Sequence, residues 1–294
     1  MKAGIVGLPN VGKSTLFNCL SNAKAQSANF PFCTIEPNIG VVNVPDSRLE
    51  RLESLVQPEK VVPATVEIVD IAGLVRGASK GEGLGNQFLS NIRETDAILH
   101  VLRCFDNDNI VHVDGSVNPL RDKETIDLEL QLKDLETVEK RLEKVGRAAR
   151  TGNKEAIKEQ EVLQQVQDGL SAATSVRALS IADDDRLAYV KTMQLLTDKP
   201  VLYVCNVDES SAVSGNDYVE QVRKVAAAEQ ADVLVLAVST EADINELDTY
   251  EERQLFLDDL GLTEPGAAKL IRAAYAMLNL HTYFTAGPKE VKAW

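Results

Sequence analysis

Gly4-Ile5-Val6-Gly7-Leu8-Pro9-Asn10-Val11-Gly12-Lys13-Ser14-Thr15 places a short apolar strand, a glycine-punctuated turn and the start of a helical run near the beginning of the chain. Residues 7–14 fit the pattern GxxxxGK[ST], directly after a strand and directly before a helix, where the chemistry of that pattern requires it. Backbone N–H groups of such a loop, with those of the helix N-terminus, form a nest for nucleotide α- and β-phosphates. The glycines let the backbone close around the phosphates because no Cβ intrudes. Lys13 would bring a point charge to the β and γ oxygens, and the Ser14 hydroxyl would ligate Mg²⁺.

Outward from this loop, apolar strand candidates recur at Thr65–Val69, Ala97–Leu102, Val201–Cys205 and Val233–Val238. Helical patterns lie between or after them at Arg48–Val56, Asn86–Arg93, Tyr218–Ala228 and Glu246–Leu260. Strands alternating with helices predict an α/β fold with a mostly parallel, doubly wound sheet. From Lys123 to about Thr197 this rhythm stops, and only charged and apolar residues at helical spacing remain. Leu128, Leu135 and Leu142 repeat every seven residues with Val138 and Val145 between them, and Ile157, Val162, Leu163 and Val166 are inner candidates of a second run. Thr151-Gly152-Asn153 reads as the turn of a helical coiled-coil hairpin. A last helix is expected after Gly261, with Thr263 as its N-cap and Pro265 in its first turn. The expected organisation is a nucleotide-binding domain over 1–122 and 198–280, with the helical insertion over 123–197.

Composition narrows the function classes. A chain of 294 residues suggests about two domains, and 44% hydrophobic with 26% charged residues describes a folded protein. No apolar run approaches the ~20 residues that span a bilayer, and no targeting segment precedes the first strand, so a cytoplasmic protein without membrane partners is expected. Cys19, Cys33, Cys104 and Cys205 form no CxxC pair, and three histidines at unrelated spacings argue against a His-based metal site. A net charge of -14 opposes generic nucleic-acid binding, and DNA is not an expected partner. One segment runs the other way. Lys140, Arg141, Lys144, Arg147, Arg150, Lys154 and Lys158 crowd the hairpin turn against Glu143 and Glu155 alone. That basic tip fits either an RNA contact or a solvated helix surface.

Val66-Glu67-Ile68-Val69-Asp70 is an apolar strand ending in an aspartate, followed by glycine at Gly73. Asp70 could hold Mg²⁺ through water, and the Gly73 N–H could approach a γ-phosphate. In the loop Phe30-Pro31-Phe32-Cys33-Thr34, Thr34 could supply a second hydroxyl to the metal, although spacing alone does not separate it from Ser27.

These residues, with Asn206-Val207-Asp208-Glu209 after the strand Val201–Cys205, resemble the translation-factor-related P-loop GTPases. Gly73–Phe88 (GLVRGASKGEGLGNQF) is similar to the glycine-rich second switch of the Obg branch. Asn29–Asn38 (NFPFCTIEPN), Arg103–Asn109 (RCFDNDN) and the helical insertion resemble the YchF or Obg-like ATPase family. The resemblance spans essentially the whole chain and favours Thr34 over Ser27. It also implies that residues 281–294 open a TGS domain that is largely missing, and that the partner of the basic tip is the ribosome or ribosomal RNA.

The base site departs from ordinary guanine readers. Those use NKxD, whereas Val207 and Glu209 stand here for the Lys and the Asp. A longer carboxylate would misplace guanine, while adenine lacks the N1–H and 2-amino donors it would read. Asn206 could still pair with adenine N7 or its amino group. ATP is therefore the expected substrate, as the resemblance also implies, and the nucleotide-binding set is Asn10, Val11, Gly12, Lys13, Ser14, Thr15, Asn206, Val207, Glu209 and Ser239. Leu74 follows the DxxG glycine where Ras-like enzymes carry a water-positioning Gln. Two substitutes are open. His112 is one, by similarity to a loop histidine in the family. The other is K⁺ held by Asn10, as in potassium-stimulated relatives.

Overall fold

The computed structural model describes residues 1–22, 39–71 and 84–294. Its centre is a six-stranded sheet in the order β2-β4-β1-β5-β6-β7, built from β1 (Lys2–Val6), β2 (Ile39–Asn43), β4 (Thr65–Asp70), β5 (Ala97–Arg103), β6 (Val201–Asn206) and β7 (Asp232–Leu236). All neighbours run parallel except β2, which pairs antiparallel with β4. Every residue of β5 and β6 is buried, which is why both read as near-continuous apolar runs, broken in β5 by His100 and closed by Arg103 and Asn206, rather than as alternating ones. A second sheet, β3-β9-β8, joins β3 (Val61–Val62), β8 (Phe284–Ala286) and β9 (Val291–Ala293). It covers α2 (Ser47–Val56) through a small cluster of Leu49, Val291 and Ala293. The edge strand β2 and the short β3 were not anticipated, whereas β8 and β9 fall within residues 281–294, which were expected to open a further domain. Short strands of small or exposed residues carry little period-two signal.

Helices α1 (Lys13–Asn22), α3 (Leu84–Arg93), α4 (Pro119–Ala149), α5 (Lys154–Ser171), the short α6 (Asp183–Asp185), α7 (Asp217–Ala228), α8 (Val238–Glu246), α9 (Tyr250–Asp259) and α10 (Gly266–Met277) complete the chain. Three sequence expectations are corrected here. The strand proposed to reach Val238 ends at Leu236, because the Val238 N–H is bonded to the Asn206 side chain and α8 starts there. The run Glu246–Leu260 is not one helix. Thr249 opens α9 with a reciprocal capping box to Glu252, and this breaks the chain between α8 and α9. Thr263 does not cap α10. That helix begins at Gly266, and the buried Glu241 carboxylate accepts the N–H groups of Gly266 (2.6 Å) and Ala267 (3.0 Å) from across the fold. A cap supplied by a residue 25 positions away leaves no local sequence mark.

Between β5 and β6 the chain has no strand: a loop over residues 104–118 leads into the helices. α4 starts earlier than Lys123, with Pro119 at its first position and Asn118 accepting the Arg121 N–H. Ile126 and Leu130 belong to the main core, while Val138 and Val145 join Val162, Leu163, Val166 and Leu170 in a separate cluster. The hand-over between the two cores therefore falls inside α4. Leu128 is 50% exposed and Ile157 40% exposed, so neither is an inner hairpin residue; Ala156 takes the buried place expected for Ile157. Gly152, at φ 82°, makes the turn, and Asn153 caps α5 by accepting the N–H groups of Glu155 and Ala156. No helix among the described residues is long and apolar enough to cross a membrane.

Candidate nucleotide site

The site forms where β1, β4, β5 and β6 end, at the carboxyl edge of the parallel sheet. Its loop is fixed by close backbone approaches. Gly7 (φ 157°) lies so near β5 that a Cβ would come within 2.6 Å of the Val101 carbonyl. Gly12 (φ 100°) sits against Asn206, whose Nδ2 would be 2.5 Å from such a Cβ. Asn206 is buried and bridges two loops: its Nδ2 donates to the Val11 carbonyl (2.9 Å) and its Oδ1 accepts the Val238 N–H (3.0 Å). The residue thus braces the phosphate loop against the β7–α8 junction, a role that its position in an NxxE pattern did not suggest.

Lys13 and Ser14 stand in the first turn of α1, opposite Asp70 at the end of β4. Lys13 Nζ donates to the Leu8 carbonyl at 2.7 Å, folding over the loop it belongs to. Burial pulls its ammonium below the usual lysine range, and the nearby Asp70 charge works against that. Burial in turn pushes the Asp70 carboxyl up, opposed by Lys13 and by a hydrogen bond from Ser14. Asp70 Oδ1 is buried without a partner among the described residues. A hydroxyl and a carboxylate oxygen, with one lone-pair face unsatisfied, suit a hard divalent cation such as Mg²⁺. Val11, Gly12 and Thr15 line the same turn, with Thr15 exposed. Thr34 and Gly73 lie outside the described residues.

Asn10 adopts φ 63° and donates from Nδ2 to the Val111 carbonyl at 3.0 Å, which ties the phosphate loop to the segment after β5. Arg103 builds that segment. Its buried guanidinium donates to the carbonyls of Phe105, Asn107 and Ile110 and stacks over the Phe105 ring. Asn216 Nδ2 adds a bond to the Cys104 carbonyl. His112 follows at once, and it is not a solvent-facing loop histidine but a buried one. Its Nδ1 accepts the Asp114 N–H (3.1 Å) and its Nε2 lies 2.8 Å from Asp122 Oδ2. His112, Asp114 and Asp122 could group around a metal ion, but Arg121 already pairs with both carboxylates. Neither the work of Arg103 nor the presence of Asp122 was foreseen. The available signal for Arg103 was a charged side chain closing an otherwise apolar strand.

At the turn 206–209, Val207 is 1% exposed and part of the main core, so it does not replace the aliphatic stem of a ring-covering lysine. Asp208 caps its own turn, accepting the Ser211 N–H and bonds from the Ser210 and Ser211 hydroxyls. Those bonds hold its carboxyl below the ordinary range. Glu209 is exposed and its carboxylate has no partner among the described residues, unlike that of the neighbouring Asp208. Ser239 is exposed in the first turn of α8, beside the Val238 N–H that Asn206 holds.

Far from this site, the hairpin tip presents Lys140, Arg141, Lys144, Arg147, Arg150, Lys154 and Lys158 as exposed residues. Three are engaged, Lys140 with Glu136, Arg141 with Glu159 and Lys158 with Asp185. Lys144, Arg147, Arg150 and Lys154 have no carboxylate partner among the described residues, and they flank the turn itself.

Comparison with known proteins is consistent with this geometry. Residues 2–141 match the 50S ribosome-binding GTPase family. The whole chain is 55% identical to the Ribosome-binding ATPase YchF of Escherichia coli O157:H7, covering 80% of its length. It is 52% identical to the protein of the same name from Bacillus subtilis (strain 168), again over 80% of that protein. The solved structure of the Schizosaccharomyces pombe YchF GTPase superposes with a TM-score of 0.87 at 36% identity, covering all of this chain and 80% of that one.

Proposed function

This chain belongs to the YchF family of P-loop nucleoside triphosphatases, and from that premise we propose that it hydrolyses ATP in preference to GTP, with Mg²⁺, while working on the ribosome. The names of its relatives divide between ATPase and GTPase, so the choice of base is argued from the turn 206–209. The observation that carries it is the engagement of that turn. Val207 is core and Asp208 is a cap, which leaves Glu209 alone to face a base. A glutamate at that position reaches one methylene further than the aspartate that reads guanine, and it gains nothing from adenine except the absence of a clash.

Ser14 and Asp70 would hold Mg²⁺, which when bound offsets charge on the β- and γ-phosphates. The residues of the chain divide the rest. The phosphate loop from Gly7 to Ser14 orients the triphosphate through its N–H groups, and Lys13 exchanges the Leu8 carbonyl for phosphate oxygens. His112, on the loop that Asn10 ties to the phosphate loop, positions the attacking water that Leu74 has no group to hold. Thr34 and Gly73 complete the γ-phosphate contacts in this reading. K⁺ at Asn10 is the competing source of the missing charge. The Asn10 amide nitrogen is spent on Val111, which leaves its oxygen for a cation. The four unpaired tip cations are the RNA-facing surface, and a ribosomal partner implies a cytoplasmic setting.

Calorimetric titration with ATP and GTP, in Mg²⁺ and with either K⁺ or Na⁺, tests this. ATP tighter by about tenfold, near 1.4 kcal/mol, supports it, and equal or tighter GTP overturns the base assignment. Phosphate release in multiple turnovers that is lost in Lys13→Ala supports catalysis over a scaffold that merely binds nucleotide.

A further inference from the structure

We propose that Asp122 is a positioning residue for hydrolysis: it fixes His112 in the tautomer that carries its proton on Nε2 and keeps Nδ1 as the hydrogen-bond acceptor at the nucleotide site. This deepens the reading of His112 given above and rests on it.

The tautomer follows from the partners. The Asp114 backbone N–H can only donate, and it points at His112 Nδ1 from 3.1 Å, so that nitrogen bears a lone pair. The proton then sits on Nε2, facing Asp122 Oδ2 at 2.8 Å, as a carboxylate acceptor demands. Asp122 is 1% exposed, and its second oxygen is taken by Arg121 Nη2 at 3.0 Å. Arg121 is anchored in turn on the Ser116 carbonyl and hydroxyl. The Asp122 N–H bonds to the Asn118 carbonyl in the first turn of α4, so the carboxylate rides on a helix rather than on the loop it orients. His112 itself belongs to the segment that Arg103 shapes from within and that Asn10 fastens to the phosphate loop. Nε2 is committed to the buried Asp122 carboxylate, whereas Nδ1 meets a single backbone N–H at the longer distance of 3.1 Å. A water that replaces the Asp114 N–H would donate a proton to Nδ1 and be oriented by it. A histidine free to choose would spend part of its time with Nδ1 protonated, unable to accept from water. Holding imidazole with a buried carboxylate on its far nitrogen is a general device for that purpose.

The test uses the full chain with Asp122→Asn, His112→Ala and the double variant. ATP affinity, KM and kcat are measured for each, and ¹⁵N imidazole spectra are recorded on the wild type and Asp122→Asn. With three histidines in the chain, His112 is assigned by its loss in His112→Ala. The expected result is a kcat lowered tenfold or more in Asp122→Asn with KM within twofold, and no further loss on adding His112→Ala. His112 in the wild type should show the Nε2–H form. Wild-type protein with Nδ1 protonated overturns the proposal without any variant having to fold. So does Asp122→Asn within twofold of wild-type kcat, or a double variant whose losses multiply. If His112→Ala is silent while Lys13→Ala stops turnover, hydrolysis stands and the roles of His112 and Asp122 fall together.

Discussion

Replacing Asn206 by alanine is a severe change that the sequence pattern alone would price as a loss of base recognition only. In the fold it removes two bonds at once, to the Val11 carbonyl at 2.9 Å and from the Val238 N–H at 3.0 Å. Both partners belong to buried residues. Leaving a buried backbone group unsatisfied costs about 1–3 kcal/mol, so the two together cost about 2–6 kcal/mol out of a total stability of roughly 5–15 kcal/mol. At about 2–4 °C per kcal/mol for a chain of this class, the melting temperature of nucleotide-free protein falls by roughly 4–24 °C. ATP affinity falls as well, because the phosphate loop loses the brace that sets its N–H groups. Thermal unfolding and calorimetric titration read both effects. A stability loss under about 0.5 kcal/mol, with ATP affinity unchanged, would refute the reasoning. The partner position gives an independent reading. Gly12→Ala meets a steric block at Asn206 and an unfavourable φ of 100°. In the Asn206→Ala background the block is gone and the strained backbone remains, so the double variant must be less damaged than the sum of the singles.

Three further outcomes are expected. His100 is buried at the centre of β5 with Nε2 unpartnered among the described residues, and burial, then the charges of Lys123 and Arg177, hold its imidazole down at about 3. The unfolded chain takes up that proton near 6.5 and the folded one does not. Stability contributed by the neutral ring is therefore present above about 6.5 and falls as pH drops toward 3. His100→Leu removes up to one proton from this linkage, and chemical denaturation between pH 4 and 6 should show the slope reduced by about 1.4 kcal/mol per pH unit; an unchanged slope would contradict the assignment. Replacing Lys144, Arg147, Arg150 and Lys154 together by alanine should weaken binding to purified ribosomes and lower the salt slope of binding by about 3, since each lost phosphate contact removes about 0.7–0.9. Unaltered salt dependence would mean the tip touches no RNA. Glu209→Asp shortens the single free carboxylate of the base turn, and titration should show the GTP-to-ATP affinity ratio shifted toward GTP by about tenfold. A ratio within twofold of wild type would place base selection elsewhere.

What the sequence could show was whatever depends on a neighbouring residue. The phosphate loop was legible because its glycines, lysine and serine must lie close together in the chain, and β5 and β6 were legible because burial on both faces writes a near-continuous apolar run. The helical insertion was visible for the same reason, as a long absence of such runs. Contacts across the fold left no mark. Leu128 keeps the heptad spacing of Leu135 and Leu142, yet at that point α4 still packs on the main core through Ile126 and Leu130, and Leu128 is left facing solvent. Thr263-Glu264-Pro265 has the composition of a helix start, but the donors of α10 are met by Glu241 instead. At the site, Asn206 carries its expected position with an added task, and His112 is found with a carboxylate on α4 that no spacing rule connects to it. The partner lies ten residues away, across a loop whose path Arg103 decides.

The same helix explains why that carboxylate is reliable. α4 has 31 residues, so at 1.5 Å per residue it is about 46 Å long, and its basic end is remote from its base. Its base is set by buried charge. Lys123 lies 2.5 Å from both Asp127 and Glu229, and burial would lower its ammonium were it not for those two carboxylates, which hold it above the usual range. Arg177 joins the same carboxylates and the Tyr203 hydroxyl, and Asp134 accepts the N–H groups of Leu196 and Thr197. Ionic groups this buried do little for net stability, because desolvation cancels most of their attraction. Removing one partner is another matter, at about 3–5 kcal/mol for each charge left alone. A swing of α4 about its base would have to strip several such partners together, from β6, α7 and the segment before β6. The hairpin is thus a stiff arm that moves with the β5–β6 part of the sheet. Asp122 is the residue next to Lys123, so the acceptor for His112 inherits that stiffness. The loop at the phosphate site takes its bearing from the base of the arm.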